Sequence, residues 1–261
     1  MIPGMKVLGN SENPAIVLIH PFPFDSRLWF DVASDLADSY FVITPDLRGC
    51  GLTPLGAEPP NLDLLAEDIY ELVTQAGLAG AIIGGISLGG YVAMALARKH
   101  PEIINGLILV DTKASADSQA AKENRLRVSV QMRESGKVEL FADQMITNVV
   151  GDYTHANRPE VVLEVRDWMR EANAESIAWL QEAMANRVES FETLASLEIP
   201  TLLIRGSQDS ISTAEDFSQM EKKLRQVTYV QIPNSGHLPP IEDPIATTIA
   251  IENWLTTFVG L

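Results

Sequence analysis

The chain is predicted to adopt an α/β fold: a doubly wound, mostly parallel sheet with helices on both faces and a helical lid insertion. Three observations predict it. Short runs rich in β-branched residues alternate with longer helix-patterned stretches, as strand–helix–strand units do. Most runs are apolar throughout rather than at every second position, as expected for strands covered on both faces. The alternation then stops between residues 113 and 196, where no run reads as a strand.

In chain order, "AIVLIH" (15–20) is the first strand and "SRLWFDVASDLAD" (26–38) the first helix. "YFVITPD" (40–46) is a strand, "LDLLAEDIYELVTQAG" (62–77) a helix and "AIIGGI" (81–86) a strand. The helix "LGGYVAMALARKH" (88–100) and the strand "GLILVD" (106–111) complete the first block. Helices are expected over 117–135, 137–150, 159–171 and 174–187, with "GDYTHANRP" as a loop among them. "TLLIRG" (201–206) and "VTYVQI" (227–232) return to strand, and about 244–259 is helical. Residues 1–112 and 197–261 therefore form an α/β core, and 113–196 a helical lid. An insertion between strands of such a sheet sits over their C-terminal ends, where open α/β sheets bind ligands.

Composition narrows the function. The 261 residues are 46% apolar and 21% charged, an ordinary globular balance. A net charge of −16 repels phosphate backbones and anionic membranes, so neither nucleic acid nor membrane is an expected partner. No apolar run approaches the roughly 18 residues of a membrane span, and the start lacks a secretory pattern. A cytoplasmic location is the expectation. The single cysteine, Cys50, excludes an internal disulfide and a cysteine-rich zinc site. No P-loop, dinucleotide fingerprint or histidine–carboxylate metal pattern occurs, so neither a cofactor nor a metal is expected.

The informative stretch is "GGISLGG" (84–90), with Ser87 between a strand and a helix. A turn that tight holds the serine in a strained backbone conformation. Side chains two positions before or after would collide with each other or with the next strand, and Gly85 and Gly89 remove that conflict. The hydroxyl is lifted above the sheet edge. The N-terminal N–H groups of the new helix, Leu88 first, are aimed at any oxyanion formed there.

With this elbow, "VLIHPFPFDSRLW", "VITPDLRGCGLT", "PTLLIRGSQD" and "IPNSGHLPPIEDP" make the chain resemble the α/β-hydrolase family over nearly its whole length. The resemblance implies a Ser87 nucleophile, an acid after "TLLIRGSQ" and a histidine in "PNSGH". It also implies an oxyanion hole from the backbone N–H groups of Phe22 and Leu88. A serine hydroxyl needs a base, and the base needs an orienting acid. Of four histidines, His20 occupies the position that supports the oxyanion loop in the family, His100 closes a helix, and His155 lies in the lid. His237 is the expected base. Two aspartates compete for the acid, Asp209 three residues past the strand-ending Gly206 and Asp111 at the end of "GLILVD", and either fits the chain order Ser, Asp, His. The family's common site is matched by Asp209. Pro21 stands where the family usually has glycine, which could displace the Phe22 donor, and Pro23 follows.

Phe24, Trp29, Met132, Phe141, Met145 and Trp168 are the expected lining of a largely apolar pocket, with Arg27 or Arg125 as candidates for a substrate carboxylate. The expected activity is hydrolysis of a small or medium, fairly apolar ester or lactone, similar to that of enol-lactone hydrolases. A perhydrolase or haloperoxidase, a carbon–carbon bond hydrolase, and a non-catalytic ligand receptor are the alternatives. The aspartate nucleophile of a haloalkane dehalogenase is replaced here by Ser87.

Overall fold

Continuous apolar runs become strands because each residue finds a covered face. In the computed structural model, which describes all residues except 2, 79, 260 and 261, seven strands form one sheet. They are β1 (Met5–Leu8), β2 (Ala15–Ile19), β3 (Phe41–Pro45), β4 (Ala81–Ile86), β5 (Ile104–Val110), β6 (Thr201–Gly206) and β7 (Val227–Ile232). The order is β1-β3-β2-β4-β5-β6-β7, all parallel except the β1–β3 pair. Along β2, Val17 and Ile19 join one core cluster and Ile16 and Leu18 the other. In β5, Leu107 and Leu109 oppose Ile108 and Val110 in the same way. That two-sided burial is what erased the period-2 signal.

One face carries α2 (Leu62–Gln75) and α3 (Leu88–Lys99), which pack on each other. The other carries α1 (Phe30–Leu36) and α12 (Pro244–Trp254). His100 ends α3 just before Pro101, which cannot continue the helix. The ring of His100 stacks on Tyr70 at 3.7 Å and meets Glu67 at 3.2 Å, so it serves to dock α3 on α2. Strand β1 is missing from the sequence reading. It is a four-residue antiparallel edge strand with Lys6 and Val7 exposed, too short and too wet to show a pattern.

Between β5 and β6 lie α4 (Gln119–Ser135), α5 (Val138–Val149), α6 (Asp152–Asn157), α7 (Pro159–Arg170), α8 (Ala174–Ala185) and α9 (Phe191–Ser196). Residues 151–159, expected as a loop, hold α6. Its six residues are too few to display a period. After β6 come α10 (Ala214–Glu221) and, before α12, α11 (Pro239–Glu242).

The two ends of the helical segment are fastened together. Ser190 N–H donates to Ala114 O at 2.7 Å, and buried Arg187 pairs with buried Asp117 at 2.7 Å. The Arg187 guanidinium also lies 4.1 Å from the centroid of Tyr91, one turn into α3. Higher up, Trp179 Nε1–H donates to Glu58 O at 2.8 Å. The segment is thereby seated against the strand ends. No described helix is long and apolar enough to cross a membrane.

Candidate active site

At the β4–α3 junction, Ser87 has φ 53° and ψ −113°. A non-glycine residue there costs about 1–3 kcal/mol, so its surroundings must hold it. Three hydrogen bonds do. Ser87 N–H donates to Val110 O at 3.0 Å, and Ser87 O accepts from Tyr91 N–H at 3.1 Å and Thr112 Oγ1 at 2.9 Å. A Cβ on Gly85 would strike the Gly89 carbonyl, and one on Gly89 the carbonyls of Ile19 and His20. The glycines thus let α3 press against the start of the 20–25 loop. Ser87 keeps partial exposure while its neighbours are buried.

In that loop, His20 is fully buried. Its Nδ1–H donates to Pro21 O at 2.8 Å and its Nε2 accepts from Leu47 N–H at 2.9 Å. Those partners define a neutral ring, and burial pushes its pKa down. Both nitrogens are used, so His20 braces the loop and has no lone pair for a proton. Phe24 N–H donates to Pro21 O at 3.1 Å, and the Phe22–Pro23 peptide is cis. Among the described residues, neither Phe22 N–H nor Leu88 N–H is used within the protein. Two donors are therefore left unused, Leu88 directly after Ser87 and Phe22 in the loop whose start α3 presses against.

In the loops after β6 and β7, His237 Nδ1 lies 3.0 Å from Asp209 Oδ2, with both side chains buried. Asp209 also accepts from Ile211 N–H at 2.8 Å and Ser212 N–H at 3.1 Å. Burial would raise its pKa, but the imidazole, a hydrogen bond from Asp111 and the Ile211 N–H hold it below the usual carboxylate range. An ionised Asp209 accepts, so His237 Nδ1 carries the hydrogen and Nε2 the free lone pair. Asp111 ends β5 next to Thr112, which holds Ser87, and its carboxyl reaches Asp209 and His237. Thr112 thus ties the serine elbow to the residue after Asp111, whose carboxyl approaches the His237–Asp209 pair.

Asp111, Asp209 and His237 are the described side chains whose spacing could hold a metal ion, within 4.8 Å of one another. Their donor atoms are already engaged with each other and with backbone N–H groups, which suits proton handling rather than coordination.

Sequence reasoning missed Glu242. Its buried carboxylate accepts from Gly151 N–H and Thr154 Oγ1 at 2.8 Å on the helical segment. It also accepts from Gly236 N–H at 2.9 Å and Leu238 N–H at 3.1 Å, on either side of His237. His237 N–H donates to Val149 O at 3.0 Å, closing the same junction. "HLPPIEDP" contained the residue, but nothing local says that four distant donors converge on it. Glu242→Gln turns an NH2 group toward two of those donors. It is expected to cost about 3 kcal/mol in urea unfolding and to lower turnover through the displaced His237 loop. A variant as stable as the parent would show that these bonds carry little net energy.

The expected pocket residues separate. Trp29 (0% exposed) and Met132 (1%) leave no surface to line a cavity, so both are corrected to core residues. Their helical spacing is common to core and pocket alike. Phe141 meets Phe22 edge-on at 5.9 Å, and Met145 is partly buried between the two core clusters. Phe24 and Trp168 line a cleft of about 380 Å³ that neither Ser87 nor His237 lines. Arg27 is paired with Asp25 and Glu171, and Arg125 with Asp117, so neither guanidinium is uncommitted.

The whole arrangement has close relatives. A malate-bound thermophilic esterase from Thermogutta terrifontis superimposes with a TM-score of 0.93 at 37% identity, covering 98% of this chain and 93% of that one. The 3-oxoadipate enol-lactonase 2 of Acinetobacter baylyi is 26% identical over 250 residues, 96% of this chain and 91% of its own. Lipase 1 of Psychrobacter immobilis is 28% identical over 243 residues, 90% of this chain and 74% of its own. The model of the alpha/beta hydrolase fold matches residues 14–244. With that match, the chain belongs to the alpha/beta hydrolase family.

Proposed function

We propose that the chain is a serine hydrolase that cleaves a small or medium, largely apolar carboxylic ester or lactone through an acyl-enzyme. One observation carries this reading. Ser87 is held in a strained elbow at the head of α3, and a buried His237–Asp209 pair lies past the ends of β6 and β7 in the same sheet. Relatives that are an esterase, an enol-lactonase and a lipase support it. A small-molecule substrate in the cytoplasm, with no metal or cofactor, is part of the same proposal.

Ser87 Oγ attacks the acyl carbon while His237 Nε2 takes its proton. The Phe22 and Leu88 N–H groups hold the oxyanion, and losing one such donor costs about 3 kcal/mol of transition-state stabilisation. The C–O bond then breaks, and the alkoxide leaves with the proton from His237. Water, deprotonated by His237, attacks the acyl carbon. Ser87 leaves, regains its proton from His237, and the carboxylic acid is released. Asp209 orients the imidazole and stabilises its cation without changing protonation. Phe22 and Phe141 give the acyl group an apolar wall.

The test is turnover of p-nitrophenyl esters of graded acyl length beside a panel of lactones, with acid and peracid products assayed separately. Short and medium acyl groups or lactones are expected to turn over many times per chain and to release acid. Binding without turnover would make the chain a receptor, and peracid as the main product with peroxide present would make it a perhydrolase.

A further inference from the structure

Two buried carboxyls stand where a serine hydrolase needs one. The geometry points to Asp111 as a positioning residue: a carboxyl that stays protonated, donates a hydrogen bond to Asp209, and fixes Asp209 against His237. This rests on the Ser87–His237–Asp209 reading and adds a fourth group behind it.

Asp111 is 0% exposed, and its backbone is held at φ 36° by a bond from its N–H to Ile204 O at 3.0 Å. Its carboxyl oxygens accept from Gly206 N–H at 3.0 and 3.1 Å. An oxygen of Asp111, an oxygen of Asp209 and a ring nitrogen of His237 lie within 4.8 Å of one another. Two negative charges that close in a dry site are not both tolerated, so one carboxyl keeps its proton. The donors decide which one. Asp209 receives the His237 Nδ1–H and two backbone N–H groups, whereas Asp111 receives one.

Other charges nearby do not reverse this. From β6, Arg205 spends its guanidinium on Ser212 O at 3.0 Å and Asp209 O at 2.7 Å. Lys113 reaches Ile211 O at 3.4 Å. The electrostatics of the site point the same way. Burial pushes Asp111 well above the usual carboxylate range, and the charge and hydrogen bond of Asp209 push it further, while Gly206 N–H and Arg205 oppose.

Asparagine is the shape of a protonated aspartate. It offers an N–H to Asp209 and an acceptor to Gly206, and it tolerates the positive φ. Alanine offers neither partner. A raised folded pKa gives stability that is fully present below the unfolded pKa, about 4, and is lost as pH rises toward the folded value. Asparagine does not titrate and escapes that loss. Relief of backbone strain would shift melting equally at every pH, so the pH dependence isolates the proton.

The experiment compares the parent, Asp111→Asn and Asp111→Ala in ester turnover against pH, and in melting at pH 4.5 and pH 8. Asp111→Asn is expected to keep kcat/KM within about threefold with the same pH profile, and Asp111→Ala to lose about tenfold or more. The melting temperature of Asp111→Asn relative to the parent is expected to rise by about 2 °C or more between the two pH values. An asparagine variant as impaired as the alanine one, or a melting difference that ignores pH, overturns the proposal. Melting needs no substrate, so it decides the role of Asp111 even where the parent fails to turn over any ester. It also decides alone where Asp111→Ala does not fold.

Discussion

Ser87→Ala is expected to lower ester turnover by about 10⁵–10⁶-fold with little change in fold or KM. The substitution removes one atom. The three hydrogen bonds that hold residue 87 all use its backbone, so the elbow keeps its geometry. The Phe22 and Leu88 N–H groups remain, and a residual rate above that of water is expected from them. A fluorophosphonate probe should label one serine in the parent and none in the variant. Ser235, the serine nearest His237 in the chain, is buried and cannot compete for a bulky reagent. A variant that is still labelled would place the nucleophile elsewhere and remove the basis of the proposed function.

What could be read from the sequence follows the range of the interactions involved. The elbow was legible because all its requirements are adjacent in the chain: an apolar run, two glycines and a helix start. Strands β2 to β6 were legible because burial on both faces demands nearly unbroken apolar runs, and β7, half-buried at the edge, by its β-branched residues. Strand β1 was not, since an edge strand needs only its backbone to pair. The choice between Asp111 and Asp209 is not local either. Both follow strands, and what separates them is a long-range contact: His237 Nδ1 lies on Asp209, while Asp111 receives a single backbone N–H. Glu242 was invisible because its four donors come from residues 151, 154, 236 and 238. Trp29 and Met132 failed as pocket residues for a related reason. An apolar side chain at helical spacing says which way it faces, but not whether the space it faces is filled.

Asp209→Asn is expected to lower kcat by about 10⁴-fold while leaving substrate binding nearly intact. An ionised Asp209 accepts from Nδ1–H, which leaves the Nε2 lone pair for the serine proton. An asparagine NH2 turned toward His237 donates to Nδ1 instead, so the hydrogen moves to Nε2 and the base has nothing to accept with. Were the large loss to follow Asp111→Asn instead, the acid would be Asp111. Stability supplies a second, independent signature, because the two aspartates are shifted in opposite directions. The depressed pKa of Asp209 gives stability that is present above its unfolded pKa, about 4, and lost as pH falls through the folded value. Asp209→Asn should therefore be less stable than the parent at pH 7, with the gap closing in acid. The Asp111→Asn difference opens as pH rises. Melting curves of the two variants from pH 3 to pH 8 should diverge accordingly, which a merely shared loss of packing could not produce.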